Sequence, residues 1–469
     1  MASRPIIDSL VDHVTGARWQ DLDASARTRA RVFLLDSLGV GIAGSSGAAV
    51  APLIATLGGW GSGDEATVWV SGERLPAGLA AIANAYQLHC LEYDCVHEGA
   101  VVHPMATVLS ALLAGAERLA ARGRPVPGRD FLLALCIGID VATLLGLAAT
   151  GPVRFFRPAT AGGFGAAAAL ARLAGLDAEA VRNALGAVYA QTSGTLQPHV
   201  EGSPMLGMQV GFNARAALHA VDLAAAGIPA PHDVIDGPYG YLRLFENGAF
   251  DTGRIEALIG REWQVTRLSH KPFPSGRLTH GVVDALRRLQ AAHGFRRGDI
   301  VAVEGRVPPL VMRLVGRPDI PDPSPNYAKL CLAFVAATWI RHGRADVPEF
   351  RDPAVLGDPA IHALARSVRL TQDDNPDPNA LDPQWFAVTL ADGTRHEMRL
   401  DHVWGHPEAP LTEEENRAKF RRCTGWARLP MPPAQAAALE AAVDGLEEAP
   451  DAAALARLTV VAAGKGKGR

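Results

Sequence analysis

ANAYQLHCLEYDCVHEGAVVHPMATVLSALLAGAE, residues Ala83–Glu117, sets His89, Cys90, Glu92, Asp94, Cys95, His97, Glu98 and His103 between runs of alanine and leucine. Ionisable side chains are costly to bury unless they are paired or used. Such crowding marks a break between two apolar helices and is the first candidate for chemistry. On its N-terminal side Pro76 opens a helix containing Ala80–Leu91. On its C-terminal side His103–Ala121 resumes helical spacing. Further out, Asp23–Ala43 repeats apolar residues at helical intervals, with Asp23 as N-cap. Gly39, Gly41 and Gly44 at its end allow close packing or a helix stop. Asp130–Thr150, Thr160–Leu173, Ala178–Ser193 and Gly211–Ala226 extend an alanine-rich bundle in which several helices are enclosed. Thr67–Val70 is a short β-branched strand candidate before a turn at Ser71–Gly72.

The pattern changes near Trp263. Asp299–Arg306 reads as a strand, and Trp385–Leu390 with Thr394–Leu400 reads as a hairpin around Ala391–Gly393. Helices are expected between them at Arg277–His293 and Tyr327–His342. Strands and helices mixed without βαβ alternation indicate an α+β unit. Helices return at Thr412–Cys423 and Pro433–Leu446. At 469 residues the chain exceeds what one core usually supports. The expectation is a mainly α protein with an α+β second domain: residues 1–265 and 405–469 all-helical, residues 266–404 α+β.

Composition narrows the function classes. A net charge of −4 gives no reason to expect nucleic acid or an anionic membrane as partner. The only basic run, Gly464–Arg469 (GKGKGR), reads as a frayed end. Phe131–Thr150 is the most apolar window, but Asp140 interrupts it, and a buried core helix is expected. Met1–Gln20 carries Asp8, Asp12 and His13 and matches no secretory signal, so a cytoplasmic address is expected. The five cysteines form no CxxC pair, which suggests neither a disulfide framework nor an iron–sulfur cluster. His89, Cys90, Cys95 and His97 match no usual structural zinc spacing, and no metal is expected.

Several stretches resemble the MmgE/PrpD family: DSLGVGIAGS (Asp36–Ser45), Ala80–Pro104, GFNARAALHAVDLAAAGIPAP (Gly211–Pro231), KPFPSGRLTHGVVDAL (Lys271–Leu286) and GHPEAPLTEEENRAKF (Gly405–Phe420). They follow one order from about residue 30 to 420. The family includes 2-methylcitrate dehydratase, cis-aconitate decarboxylase and iminodisuccinate epimerase. The resemblance implies a large helical domain, a smaller α+β domain, a homodimer, an active site between the domains and no required cofactor. It also implies small polycarboxylate substrates that react through a carbanion-like species beside a carboxylate.

Such chemistry needs a base, an acid for the departing group and cations for developing charge. His103 matches the family's His-Pro histidine and is the first proton-transfer candidate. Asp94 orients it or acts as base, His97 holds a second proton, and Glu92 belongs to the same acidic cluster. Lys271, Arg277 and Arg157 are expected to bind carboxylates, with His280 facing the same site. The chain departs from the decarboxylase pattern at four positions. Arg157 and Gly276 stand where histidines are expected, Leu206 where a lysine is, and Val96 where a threonine is. The sequence reading is therefore a cofactor-independent lyase of the dehydratase type, acting on a small hydroxylated di- or tricarboxylate such as 2-methylcitrate. An epimerase, a decarboxylase and a catalytically silent binding protein remain the alternatives.

Overall fold

A computed structural model describes residues 4–462, so the Gly464–Arg469 tail lies outside the described residues. The chain is mainly helical, with a smaller α+β unit. Asp23 caps the helix Ala24–Gly44 by accepting a hydrogen bond from the Ala26 amide at 2.7 Å. That helix packs against Ala77–His89 so closely that a Cβ on Gly44 would lie 1.7 Å from the Gln87 carbonyl oxygen. Only glycine fits there. Pro104–Ala121, Gly128–Ala148, Arg157–Ala174, Ala178–Tyr189 and Met205–Ala225 surround the pair, and their alanine faces form one apolar core. The helix Gly128–Ala148 is long and apolar enough to cross a membrane, yet 94% of its apolar window is buried inside the protein.

The α+β unit centres on four strands, in the order Val368–Gln372, Ile300–Val307, Gln384–Leu390, Arg395–Leu400. The last two form the expected hairpin, antiparallel with Trp385 opposite Arg399. Val368–Gln372 joins the far edge in parallel, a strand its mostly exposed VRLTQ sequence does not announce. His280–His293 and Leu332–His342 cover this sheet and share a second apolar core with it. Glu413–Gly425 and Pro433–Asp444 then contribute Phe420, Leu439 and Val443 to the first core.

Two expectations shift. Thr67–Val70 is not a full strand: only Ala66–Thr67 pairs, with Arg74–Leu75, because the chain turns at Val70 with φ +69°. The helix expected to reach Leu91 ends at His89, and Glu92 is left-handed at φ +54°. A two-residue ladder then sets the site. Val96 pairs with Ser269 and His97 with Leu268, antiparallel. This brings the segment before Lys271 against the acidic stretch after the Ala77–His89 helix.

Candidate active site

The break between Ala77–His89 and Pro104–Ala121 folds its ionisable groups inward. Asp94, fully buried, is the hub. Its Oδ2 lies 2.9 Å from Nδ1 of His89 and 3.4 Å from Nδ1 of His103, and the two rings stand 5.3 Å apart and nearly perpendicular. His89 is the last residue of its helix and His103 caps the next one. The two helix ends therefore present their imidazoles to one carboxylate. Lys271 reaches in from the distant segment, 3.1 Å from Glu92 Oε2 and 4.0 Å from Asp94 Oδ1.

The surroundings push the two histidines apart. Burial opposes the charge on His89, but Asp94 and Glu92 outweigh it and raise its pKa above the ordinary value. Burial and the neighbouring Lys271 ammonium lower that of His103, against the pull of Asp94. Asp94 is held well below the usual carboxylate range: burial opposes its ionisation, and His89 and His103 overcome it. Glu92 follows the same logic, burial being overcome by Lys271, and falls to about 2. Divergent pKa values in adjacent groups separate an acid from a base. His103 suits the base, its Nδ1 turned to Asp94, and His89 suits the acid.

His103, Glu92 and His89 line a cleft between the two units that opens to solvent. Its remaining wall is largely apolar, including Val101, Phe156, Leu206, Leu310 and Val315. Val101 is itself left-handed at φ +54°. For a β-branched residue that is a strained conformation, and such strain gathers at functional sites.

The structure brings together His103, Asp94, Glu92 and Lys271, and gives other expected residues different work. His97 lies off the cleft. Its Nδ1 accepts from the Ala100 amide at 3.1 Å and its Nε2 faces the Gln264 side-chain oxygen at 3.1 Å. Its Nε2 proton is engaged by Gln264 and its Nδ1 lone pair by the Ala100 amide, and burial lowers its pKa to about 4, so neither nitrogen is free for a ligand. His280 is fully buried, its Nε2 3.2 Å from the Ser275 carbonyl oxygen and its Nδ1 beside Arg277. Arg157 lines the cleft, but its guanidinium holds Glu246 through two 2.8 Å bonds and donates to the Ala100 carbonyl at 3.0 Å. It is an internal ion pair rather than an open clamp. Arg277 also lines the cleft and is held by Glu98 at 2.8 Å and by the Trp404 and Val403 carbonyls.

Sequence reasoning did not assign roles to His89, Glu98 and His199, all of which line the cleft. His89 stood in the crowded segment, and its five-residue spacing to Asp94 was the available signal. His199, lowered to about 4 by burial and by Arg317, carried none.

His89, Asp94 and His103 offer donor atoms within 4.8 Å of one another, as do Asp382, His402 and His406. At the first set the Lys271 ammonium stands against a cation, and both imidazole Nδ1 atoms already face the shared carboxylate.

A helical domain and a smaller α+β domain meet beside a carboxylate shared by two histidines. The sequence comparisons agree: the MmgE/PrpD N-terminal domain matches residues 8–252 and the MmgE/PrpD C-terminal domain matches residues 273–446. The chain belongs to the MmgE/PrpD family. Similar proteins include the cis-aconitate decarboxylase of Mus musculus, 27% identical over 90% of this chain and 87% of that protein. The cis-aconitate decarboxylase of Homo sapiens is 27% identical over 90% and 88%. The cis-aconitate decarboxylase-like protein oryM of Aspergillus oryzae is 26% identical over 88% and 89%.

Proposed function

We propose that the protein is a lyase that moves a proton at a carbon beside a carboxylate of a small hydroxylated di- or tricarboxylate, without a cofactor. The observation that carries this reading is the His103–Asp94–His89 array at the cleft wall. His103, with Nδ1 turned to Asp94, keeps Nε2 for the substrate proton. Asp94 fixes that tautomer and offsets the charge the ring acquires. His89, whose pKa is raised, supplies a proton to a departing hydroxyl, which leaves as water. The C–H pair becomes the new C=C bond as the C–O bond breaks, so the step balances within the substrate.

A second reading, decarboxylation, is supported by the names of the similar proteins. The cleft weighs against it. Val96, Arg157, Leu206 and Gly276, the four positions that depart from the decarboxylase pattern, all line it. Two of the expected polar groups are thus replaced by apolar side chains, and Arg157 is committed to Glu246. Epimerisation fits less well, because it requires bases on opposite faces, whereas His89 and His103 are adjacent.

The test is incubation of the enzyme in heavy water with 2-methylcitrate, malate-type hydroxy acids and cis-aconitate, followed by NMR. Loss of water with deuterium incorporated on reversal, abolished in His103→Asn, supports the dehydratase. Release of carbon dioxide from cis-aconitate alone replaces it with the decarboxylase. No exchange with any of these acids, nor with hydroxy diacids of greater length, removes the lyase reading.

A further inference from the structure

The cationic groups around the site fall into two populations. The arginines that line the cleft each have their own carboxylate, Arg277 with Glu98 and Arg157 with Glu246, and Lys271 behind the wall is paired with Glu92. A compact trianion in this interior would face Glu92 and Glu98, and the arginines that line the cleft are already committed to carboxylates. One carboxylate at the inner end is compatible, beside the His89 and His103 imidazoles that line it. The wall beyond that end offers Val101, Phe156, Leu206, Leu310 and Val315, which favour hydrocarbon.

The second population lies at the mouth. An open depression shares Val153, Phe155, Leu196, His199 and Leu314 with the cleft, so the two are continuous. Arg154, Arg313 and Arg317 line it, and no aspartate or glutamate does. Among the described residues none of these three arginines has a carboxylate within ion-pair distance. Arg317 is oriented by 2.9 and 3.1 Å contacts to Nδ1 and the carbonyl of His199, and it packs 4.8 Å from the Tyr327 ring centre. Three arginines without acidic partners, on the rim of an apolar cleft whose own charges are internally balanced, form an anion-receiving rim.

We infer that the substrate is an elongated acid: one carboxylate at the His103 end, an apolar middle in the cleft, and a distal anionic group, carboxylate or phosphate, held by Arg154, Arg313 and Arg317. This rests on the lyase reading, with His103 as the reacting end, and within it prefers an acid whose two charges lie far apart to a compact tricarboxylate. The wall then selects chain length and the rim selects charge.

Calorimetric titration with unreactive saturated acids tests it without requiring turnover. The series comprises α,ω-dicarboxylates of increasing length, monocarboxylates of matched length, ω-phosphonoalkanoates and the compact tricarballylate. Affinity should rise about three- to fourfold per methylene up to an optimum length. At that length the diacid or the phosphonate should bind about tenfold or more tighter than the monoacid. Whichever of the two binds tighter identifies the distal group. Arg154→Ala combined with Arg313→Ala, at two exposed positions, should erase that advantage and leave monoacid affinity within about twofold, with an unchanged melting temperature. Tighter binding of tricarballylate than of every elongated acid overturns the inference, as do a diacid advantage that survives the double variant and failure of all elongated acids to bind. Because these ligands do not react, none of these results bears on the lyase reading, which stands or falls on proton exchange by His103.

Discussion

Replacing Arg157 with Met separates a structural arginine from a substrate clamp. Arg157 is 1% exposed and Glu246 5%. Their two 2.8 Å bonds make a bidentate pair, and a third bond reaches the Ala100 carbonyl. Arg157→Met leaves Glu246 charged and without its partner in the interior, which costs about 3–5 kcal/mol. The stranded Ala100 carbonyl adds about 1–3 kcal/mol. Removing the second charge as well, in Arg157→Met with Glu246→Leu, takes away the orphaned carboxylate and should return stability to within about 2 kcal/mol of the parent. Urea unfolding followed by far-ultraviolet circular dichroism measures both. A single variant that loses less than about 1 kcal/mol, or a double variant no more stable than the single one, refutes the assignment of Arg157 to an internal pair.

Asp94→Asn should lower kcat about 10²–10⁴-fold with KM little changed, because an amide nitrogen facing His103 Nδ1 forces the proton onto Nε2 and removes the base; a change in KM alone contradicts this. Acid should destabilise the fold between about pH 6.5 and 4. His97 and His199 are each lowered to about 4, so the unfolded chain binds protons there that the folded chain does not, and stability falls as pH falls. Urea midpoints that stay flat across this interval contradict it. Lys271→Met should raise the Glu92 pKa from about 2 toward the ordinary value, since Lys271 is the foremost group holding it down; carboxylate NMR titration reads the shift, and an unmoved Glu92 refutes the pairing.

The helices were legible because their signals are local. Asp23 caps where its side chain reaches the Ala26 amide, and the alanine-rich faces repeat at helical intervals. The crowded segment from His89 to His103 was legible as a site because so many ionisable groups stood between apolar runs. The partnerships were not. Glu246 stands 89 residues from Arg157, and Glu98 stands 179 from Arg277. Composition gives no means of knowing that these arginines are already occupied. The ladder that joins Val96–His97 to Leu268–Ser269 is two residues long, too short for any periodicity. His97 was misread for the same reason: Gln264 and the Ala100 amide, which use its ring, are chosen by tertiary geometry.

Nitrogen-15 NMR of the histidine rings at pH 6.5, the ordinary histidine midpoint, tests the shared-carboxylate array most directly. His89 should be more than half protonated, while His103 should be mostly neutral with its proton on Nδ1. Equal protonation of the two rings, or a neutral His103 carrying its proton on Nε2, would contradict it.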